Sequence, residues 1–109
     1  MNKIIIIGGG AAGMMAAVAA ARNGAKVTLL EQNEKTGKKV FITGKGRCNI
    51  TNACENEKFF DNVISNGKFL YSAFYQMDNQ AVIRFFEQAG CKGKEERGER
   101  IFPVTDHSS

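Results

Sequence analysis

Apolar residues near the start of the chain form two short runs separated by an alanine-rich stretch. Four consecutive isoleucines, Ile4 to Ile7, precede that stretch, and the second run ends at Leu30. Asn23-Gly24 supplies a stop signal between the two. The pattern predicts a strand over 3–7, a helix over 11–22 and a strand over 26–30. Consecutive isoleucines are typical of a parallel strand that is buried on both faces.

The rest of the chain divides into a loop, a helical stretch and a turn. Residues 32–52 have no periodicity and contain three glycines, which predicts a long loop of the kind that is usually functional. From about 56 to 89 the apolar residues recur at helical spacing, with breaks at Asn66-Gly67 and at Asp78-Asn79, where either residue suits a helix cap. Residues 91–103 predict a hairpin that turns near Arg97-Gly98.

The 18 residues from Ile4 to Ala21 carry no polar side chain, a length that would suit a membrane span or a signal peptide. Eleven of the 18 are glycine or alanine, which gain little from hydrocarbon. We therefore predict a cytoplasmic protein without a membrane partner. The net charge of +4 suits a phosphate-bearing ligand and equally an ordinary soluble surface.

The residues that most often bind metals are few and badly spaced for that purpose. Cys48, Cys54 and Cys91 are odd in number and lack zinc-type spacing, so we expect reduced thiols. His107 is the only histidine and is expected at the surface. The sequence predicts no metal site.

A dinucleotide-binding pattern lies between the first predicted strand and the first predicted helix. Gly8, Gly10 and Gly13 stand as G-x-G-x-x-G, and Glu31 follows the second strand, where a ribose-binding acid is expected. An acid at that position favours FAD or NAD over NADP. The alternative is a glycine-rich turn of another βαβ unit, in which Glu31 would be solvated. We predict an α/β fold, a Rossmann-like FAD/NAD(P)-binding domain.

The two strands predicted for the βαβ unit are fewer than a doubly wound sheet needs, which suggests the N-terminal part of a larger protein. Several segments also resemble one known family. These are the N-terminal I-I-I-I-G-G-G-A-A-G, G-K-G-R-C-N-I-T-N at 44–52, G-K-F-L-Y-S-A-F at 67–74 and G-E-R-I-F-P-V-T-D at 98–106. They resemble the bacterial flavoproteins called NAD(FAD)-utilising dehydrogenases, which include aminoacetone-oxidase-like and BaiN-like proteins.

The resemblance implies a set of FAD-binding residues. Glu31 would bind the adenosine ribose, with Gln32 beside it and Lys39 near the phosphates. The pyrophosphate would be held by Gly8, Gly10, Ala11, Ala12 and Gly13, and the flavin end would lie near Gly44, Gly46, Arg47, Cys48 and Asn49.

The same resemblance implies a flavin-dependent oxidoreductase that transfers hydride through FAD, with NAD(P)H as a candidate co-substrate and a small molecule as substrate. No residue of the chain is identified as a catalytic acid or base, and we expect the fragment alone to be inactive. One alternative is a non-catalytic nucleotide-binding module. Another is a dithiol enzyme using Cys48 and Cys54, although five residues separate them instead of the four of flavin disulfide reductases. Nucleic acid is not an expected partner, and the oligomeric state is left open.

Overall fold

The computed structural model describes residues 1–109, which form two compact units. Unit 1 comprises residues 1–46 together with Ser108 and Ser109, and unit 2 comprises residues 47–107. Unit 1 is a βαβ unit followed by a short helix, whereas unit 2 combines helices with a small antiparallel sheet.

Unit 1 begins with two parallel strands joined by a helix. Strand β1 spans Lys3–Ile7, helix α1 spans Ala11–Arg22 and strand β2 spans Lys26–Leu30, the bounds that the apolar pattern predicts. The strands pair in register from Lys3 with Lys26 to Ile7 with Leu30. The Gly8 N–H donates to the Leu30 carbonyl at 2.7 Å, so the pairing continues one residue into the turn. This ladder brings the two strand ends beside the start of α1.

The isoleucines of β1 are less buried than their pattern predicts. A Cβ added to Gly13 of α1 would lie 3.6 Å from Ile6 Cγ2, so Ile6 faces the helix. Ile5 and Ile7 point to the opposite face, where they are 67% and 86% exposed. The prediction of burial on both faces is therefore wrong for this chain, because α1 covers one face of the two-stranded sheet and the other face stays open.

The segment 32–52 is more structured than the predicted loop. Helix α2 spans Lys38–Ile42, a 3-10 turn spans Thr43–Gly46 and strand β3 spans Thr51–Asn52. Gly37 precedes α2 in the left-handed conformation, with φ of 68°. Periodicity is read over windows of about 11–18 residues, so elements of five and two residues leave no periodic signal.

The helical stretch of unit 2 is divided where polar residues interrupt it. Helix α3 spans Asn56–Asp61, a 3-10 turn spans Gly67–Leu70, α4 spans Tyr71–Gln76 and α5 spans Asn79–Gln88. Of the two candidate caps of α5, Asp78 is the one used, since its carboxylate accepts a hydrogen bond from Ala81 N at 2.9 Å. The amide of Asn79, which is 3% exposed, instead donates to the carbonyls of Asn52 and Cys54 at 2.7 and 2.6 Å. Asn79 thus ties α5 to β3.

An antiparallel sheet completes unit 2. Strand β4 spans Gly93–Glu96, a 3-10 turn spans Arg97–Glu99 and strand β5 spans Arg100–Pro103, with β5 in the centre of the order β3-β5-β4. Phe102 and Ile101 of β5 are 2% and 5% exposed and are the most buried apolar side chains of the chain. Phe74 of α4 is also buried and stacks on Phe59 with 4.1 Å between ring centroids.

Candidate functional site

The turn between β1 and α1 depends on two of its glycines for geometric reasons. Gly8 has φ of +101°, a conformation that residues with a side chain rarely adopt. A Cβ added to Gly13 would lie 1.8 Å from the Gly8 carbonyl oxygen, which is a backbone atom and cannot move independently. These two glycines therefore allow the tight turn and the close approach of α1 to the strand end.

Gly10 differs from both because neither a positive φ nor a close neighbouring atom constrains it. It is the N-cap of α1 and is exposed, and a Cβ added there would meet nothing within 4 Å. The first turn of α1, which begins with Ala11 and Ala12, contains no acidic residue, and no side chain caps the helix. The first N–H groups of a helix lack intrahelical partners and carry partial positive charge. The start of α1 can therefore receive an anionic group at close range.

Glu31, directly after β2, is held against this turn by hydrogen bonds. Its Oε1 accepts from the Gly9 N–H at 2.8 Å, and its Oε2 accepts from both the backbone N–H and the side-chain amide of Asn33 at 2.8 Å. These bonds, first that from the Asn33 backbone and then that from Gly9, lower the pKa of Glu31. The side chain is therefore an ionised acceptor at neutral pH.

Gly9 is a site residue that sequence reasoning missed. It is buried, and a Cβ there would lie 2.8 Å from Thr36 Cγ2 and 3.0 Å from Leu29 Cδ2. Its carbonyl also accepts from the Gly37 N–H at 2.7 Å. Gly9 occupies a variable position of G-x-G-x-x-G, so the motif carries no signal for it, and the contacts with residues 36 and 37 are not visible in the sequence.

Unit 1 contains a cleft of about 870 Å³, and the first residue that lines it directly follows Glu31 in the chain. Gln32 lines it, as do residues 33–38, Phe41, Ile42 and Ser109, all in unit 1. The volume is in the usual range for small-molecule sites, and the lining mixes apolar and charged groups. Lys39 lies on α2 and is exposed. Unit 1 therefore brings the glycine turn and Glu31 together, with the Gln32 cleft adjoining Glu31 along the chain.

The predicted flavin-side residues are divided between the two units. Gly44 and Gly46 close unit 1 in the 3-10 turn with φ of 56° and 86°. Cys48 is in unit 2, has φ of 63° and is a free thiol, as are Cys54 and Cys91. The Asn49 amide donates to the carbonyls of Thr51 and Ile101 at 3.0 and 3.1 Å. These donors of Asn49 are thus used within unit 2.

Arg47 lies in a charged cluster that sequence reasoning missed. Its Nε and Nη2 donate to Asp106 Oδ1 at 2.9 and 2.6 Å, Nη2 also pairs with Glu96, and the guanidinium lies 4.1 Å from the centre of the Phe102 ring. Lys94 Nζ pairs with Asp106 Oδ2 at 2.6 Å. Glu96 and Asp106 lie 49 and 59 positions after Arg47 in the sequence, a separation that no local pattern reveals.

The cluster stabilises the charged forms of its members. Hydrogen bonds from Lys94 and then Arg47 lower the pKa of Asp106, and those from Arg47 lower the pKa of Glu96. The same bonds raise the pKa of Arg47 and Lys94. A carboxylate with a lowered folded-state pKa stabilises the fold above its ordinary pKa and loses that contribution as the pH falls.

We expect Asp106→Asn to flatten the acid side of the stability profile. The wild-type Tm should fall as the pH drops below the ordinary carboxyl pKa values of 4.5 and 3.8, because the unfolded chain then binds protons at Glu96 and Asp106 that the folded chain does not. The variant should melt a few degrees lower at pH 7, and the two curves should converge at low pH. Circular dichroism melts across this pH range measure the effect, with Asp61→Asn on α3 as control. Parallel curves at all pH values would contradict the expectation.

A strand, the glycine turn, a helix and an acid after the second strand together define a Rossmann-type nucleotide-binding unit. Residues 2–109 match the family described as HI0933-like protein Rossmann domain. The chain belongs to this family. This family match confirms the resemblance and the Rossmann-like α/β fold that the sequence motifs predict.

A curated relative gives a further comparison. The chain is 40% identical over 85 residues to a 3-dehydro-bile acid delta(4,6)-reductase of Clostridium scindens. That match covers 78% of this chain and 20% of the length of the relative.

None of the helices has the length and apolar character needed to cross a membrane.

Proposed function

We propose that this chain binds FAD, with the pyrophosphate at the start of α1 and the adenosine ribose at Glu31. The observation that carries the proposal is the combination of an open, uncapped helix start at Gly10 with a carboxylate fixed at Gly9. The first arrangement suits a pyrophosphate, which carries two negative charges, and the second suits a ribose hydroxyl. Both lie in one compact unit.

The residues present fit the adenosine diphosphate part of the cofactor. Gly8 and Gly13 allow the tight turn, Gly10 keeps the backbone accessible, and the N–H groups of Ala11 and Ala12 belong to the unpaired first turn of α1. Glu31 is ionised and offers an acceptor to the ribose. We propose that the adenosine lies beside Gln32, at the cleft lined by residues 32–38, Phe41 and Ile42.

For the flavin end the support is the family resemblance alone. It assigns Gly44, Gly46, Cys48 and Asn49 to the surroundings of the flavin and Lys39 to the phosphates. Arg47 belongs to the same segment, but its guanidinium is engaged by Asp106 and Glu96. We therefore propose that Arg47 stabilises the backbone of this segment.

The wider function that we propose is that of a segment of a flavin-dependent oxidoreductase. FAD, when bound, supplies hydride transfer at its ring, while these residues bind and orient it. The reductase named among the relatives supports this reaction class, and NAD(P)H is the proposed source of hydride for a small-molecule substrate in a cytoplasmic protein.

The binding of FAD by the 109-residue chain tests the proposal directly. The purified chain should quench or shift flavin fluorescence on titration with FAD, and calorimetry with ADP and NAD should show whether the adenosine half suffices. Glu31→Gln should weaken FAD and ADP binding about 10- to 100-fold, because a hydrogen bond to a charged acceptor is lost.

Glu57→Gln is the matched control, since it removes one negative charge from an exposed position of α3 in unit 2. It should bind FAD as the wild type does. A chain that binds NAD but takes up no FAD would overturn the cofactor assignment. Equal weakening by both substitutions would show that net charge, and not Glu31, determines the affinity.

A further inference from the structure

The hydrogen bonds to Glu31 are shared unevenly between its two oxygens. Oε1 accepts one, from the Gly9 N–H, whereas Oε2 accepts two, from the backbone N–H and the side-chain amide of Asn33. All three are 2.8 Å long. An ionised carboxylate offers about four acceptor positions, two on each oxygen. Oε2 is therefore filled, and one position remains open on Oε1.

An adenosine ribose presents two neighbouring hydroxyls, at its 2′ and 3′ carbons. A carboxylate can accept from both only if it has two open acceptor positions. Glu31 has one, and as an ionised group it cannot donate. The side-chain amide of Asn33 occupies the position that the second hydroxyl would need, while the backbone N–H of the same residue would hold Oε2 without it.

We infer that Asn33 is a specificity-determining residue, whose side-chain amide restricts Glu31 to accepting one hydroxyl of the ribose. The inference rests on the proposed function, since it concerns how the same carboxylate recognises its ligand. It predicts that the two ribose hydroxyls contribute unequally to affinity. Removal of the Asn33 side-chain amide opens an acceptor position on Oε2, so the second hydroxyl then contributes to the binding affinity.

The test compares ADP, 2′-deoxy-ADP and 3′-deoxy-ADP by calorimetry on the 109-residue chain. For the wild type, loss of one hydroxyl should weaken binding about tenfold or more and loss of the other less than about twofold, as expected for one charge-assisted bond. For Asn33→Ala, loss of either hydroxyl should weaken binding about tenfold.

Asn23→Ala is the matched control, because it removes a side-chain amide that donates to the Ala19 carbonyl in the same unit. It should keep the wild-type pattern. A wild type that binds ADP but depends equally on both hydroxyls, or on neither, overturns the inference alone and needs no variant. An Asn33→Ala variant with the wild-type pattern also overturns it. Failure of the wild type to bind either ADP or FAD overturns the proposed function and this inference together.

Discussion

Gly13→Ala is expected to abolish FAD and ADP binding and to destabilise unit 1. The added Cβ would lie 1.8 Å from the Gly8 carbonyl oxygen, so α1 has to move away from the end of β1. Forcing a methyl group into a packed site usually costs about 1–3 kcal/mol, and more where the obstacle is backbone. The same movement displaces the start of the helix from Gly8 and the Glu31 carboxylate. Thermal melts and FAD titrations measure the two effects.

Gly10→Ala is the informative comparison because it separates binding from stability. Its Cβ would enter open space, and its φ of −80° suits alanine. The variant should melt close to the wild type yet bind FAD at least about tenfold more weakly, since the methyl occupies the space that a phosphate must approach. If Gly10→Ala binds FAD normally while Gly13→Ala does not, the phosphate is held elsewhere than at the start of α1.

Phe102→Ala is expected to remove most of the stability of unit 2. Phe102 is 2% exposed, and the guanidinium groups of Arg47 and Arg100 lie 4.1 and 5.5 Å from its ring centre. Truncation of a buried phenylalanine costs about 3–5 kcal/mol. Small domains have total stabilities of about 5–15 kcal/mol, so the loss is a large fraction of what is available. The ring is also the surface on which the Arg47 cluster rests.

Urea unfolding followed by tyrosine fluorescence measures this loss selectively. Both tyrosines of the chain, Tyr71 and Tyr75, lie in unit 2. Phe69→Ala is the control, because that side chain is 86% exposed and its truncation should change the free energy of unfolding by less than about 0.5 kcal/mol. Equal effects of the two substitutions would contradict the assignment of Phe102 to the core.

Local patterns were sufficient for the βαβ unit, since its strands, helix and turn each extend over consecutive residues. The glycine motif and Glu31 follow from the same local order. The motif could not identify Gly9 or Asn33, because their importance comes from hydrogen bonds to Glu31 that form only when the turn and the strand end meet. The local sequence signals of these two residues are a run of three consecutive glycines and an Asn two residues after an acid. Both are common in loops of other proteins.

Longer-range features were not predictable from the sequence in this way. The isoleucine run shows that β1 is suited to burial on both faces, but it does not show whether the chain supplies a helix to cover each face. Only one face is covered, and Ile7 on the other face is 86% exposed. The resemblance puts Arg47 near the flavin end, and no local pattern reveals its partners Glu96 and Asp106, because they lie 49 and 59 residues further along the chain. The helix α2 escaped notice because five residues are too few to show a period.

The distance along the sequence between Arg47 and Asp106 affects the order in which the two units can fold during synthesis. The strands of unit 1 are both complete once Leu30 has been made, and their pairing closes a short loop. In unit 2, strand β3 pairs with Ile101 and Arg100. The guanidinium of Arg47 binds the carboxylate of Asp106, which is made 59 residues later. Ribosomes add about 5–20 residues per second, so these groups remain without their partners for several seconds. Strand β3 of unit 2 is therefore without its partner strand for longer than β1 of unit 1 is.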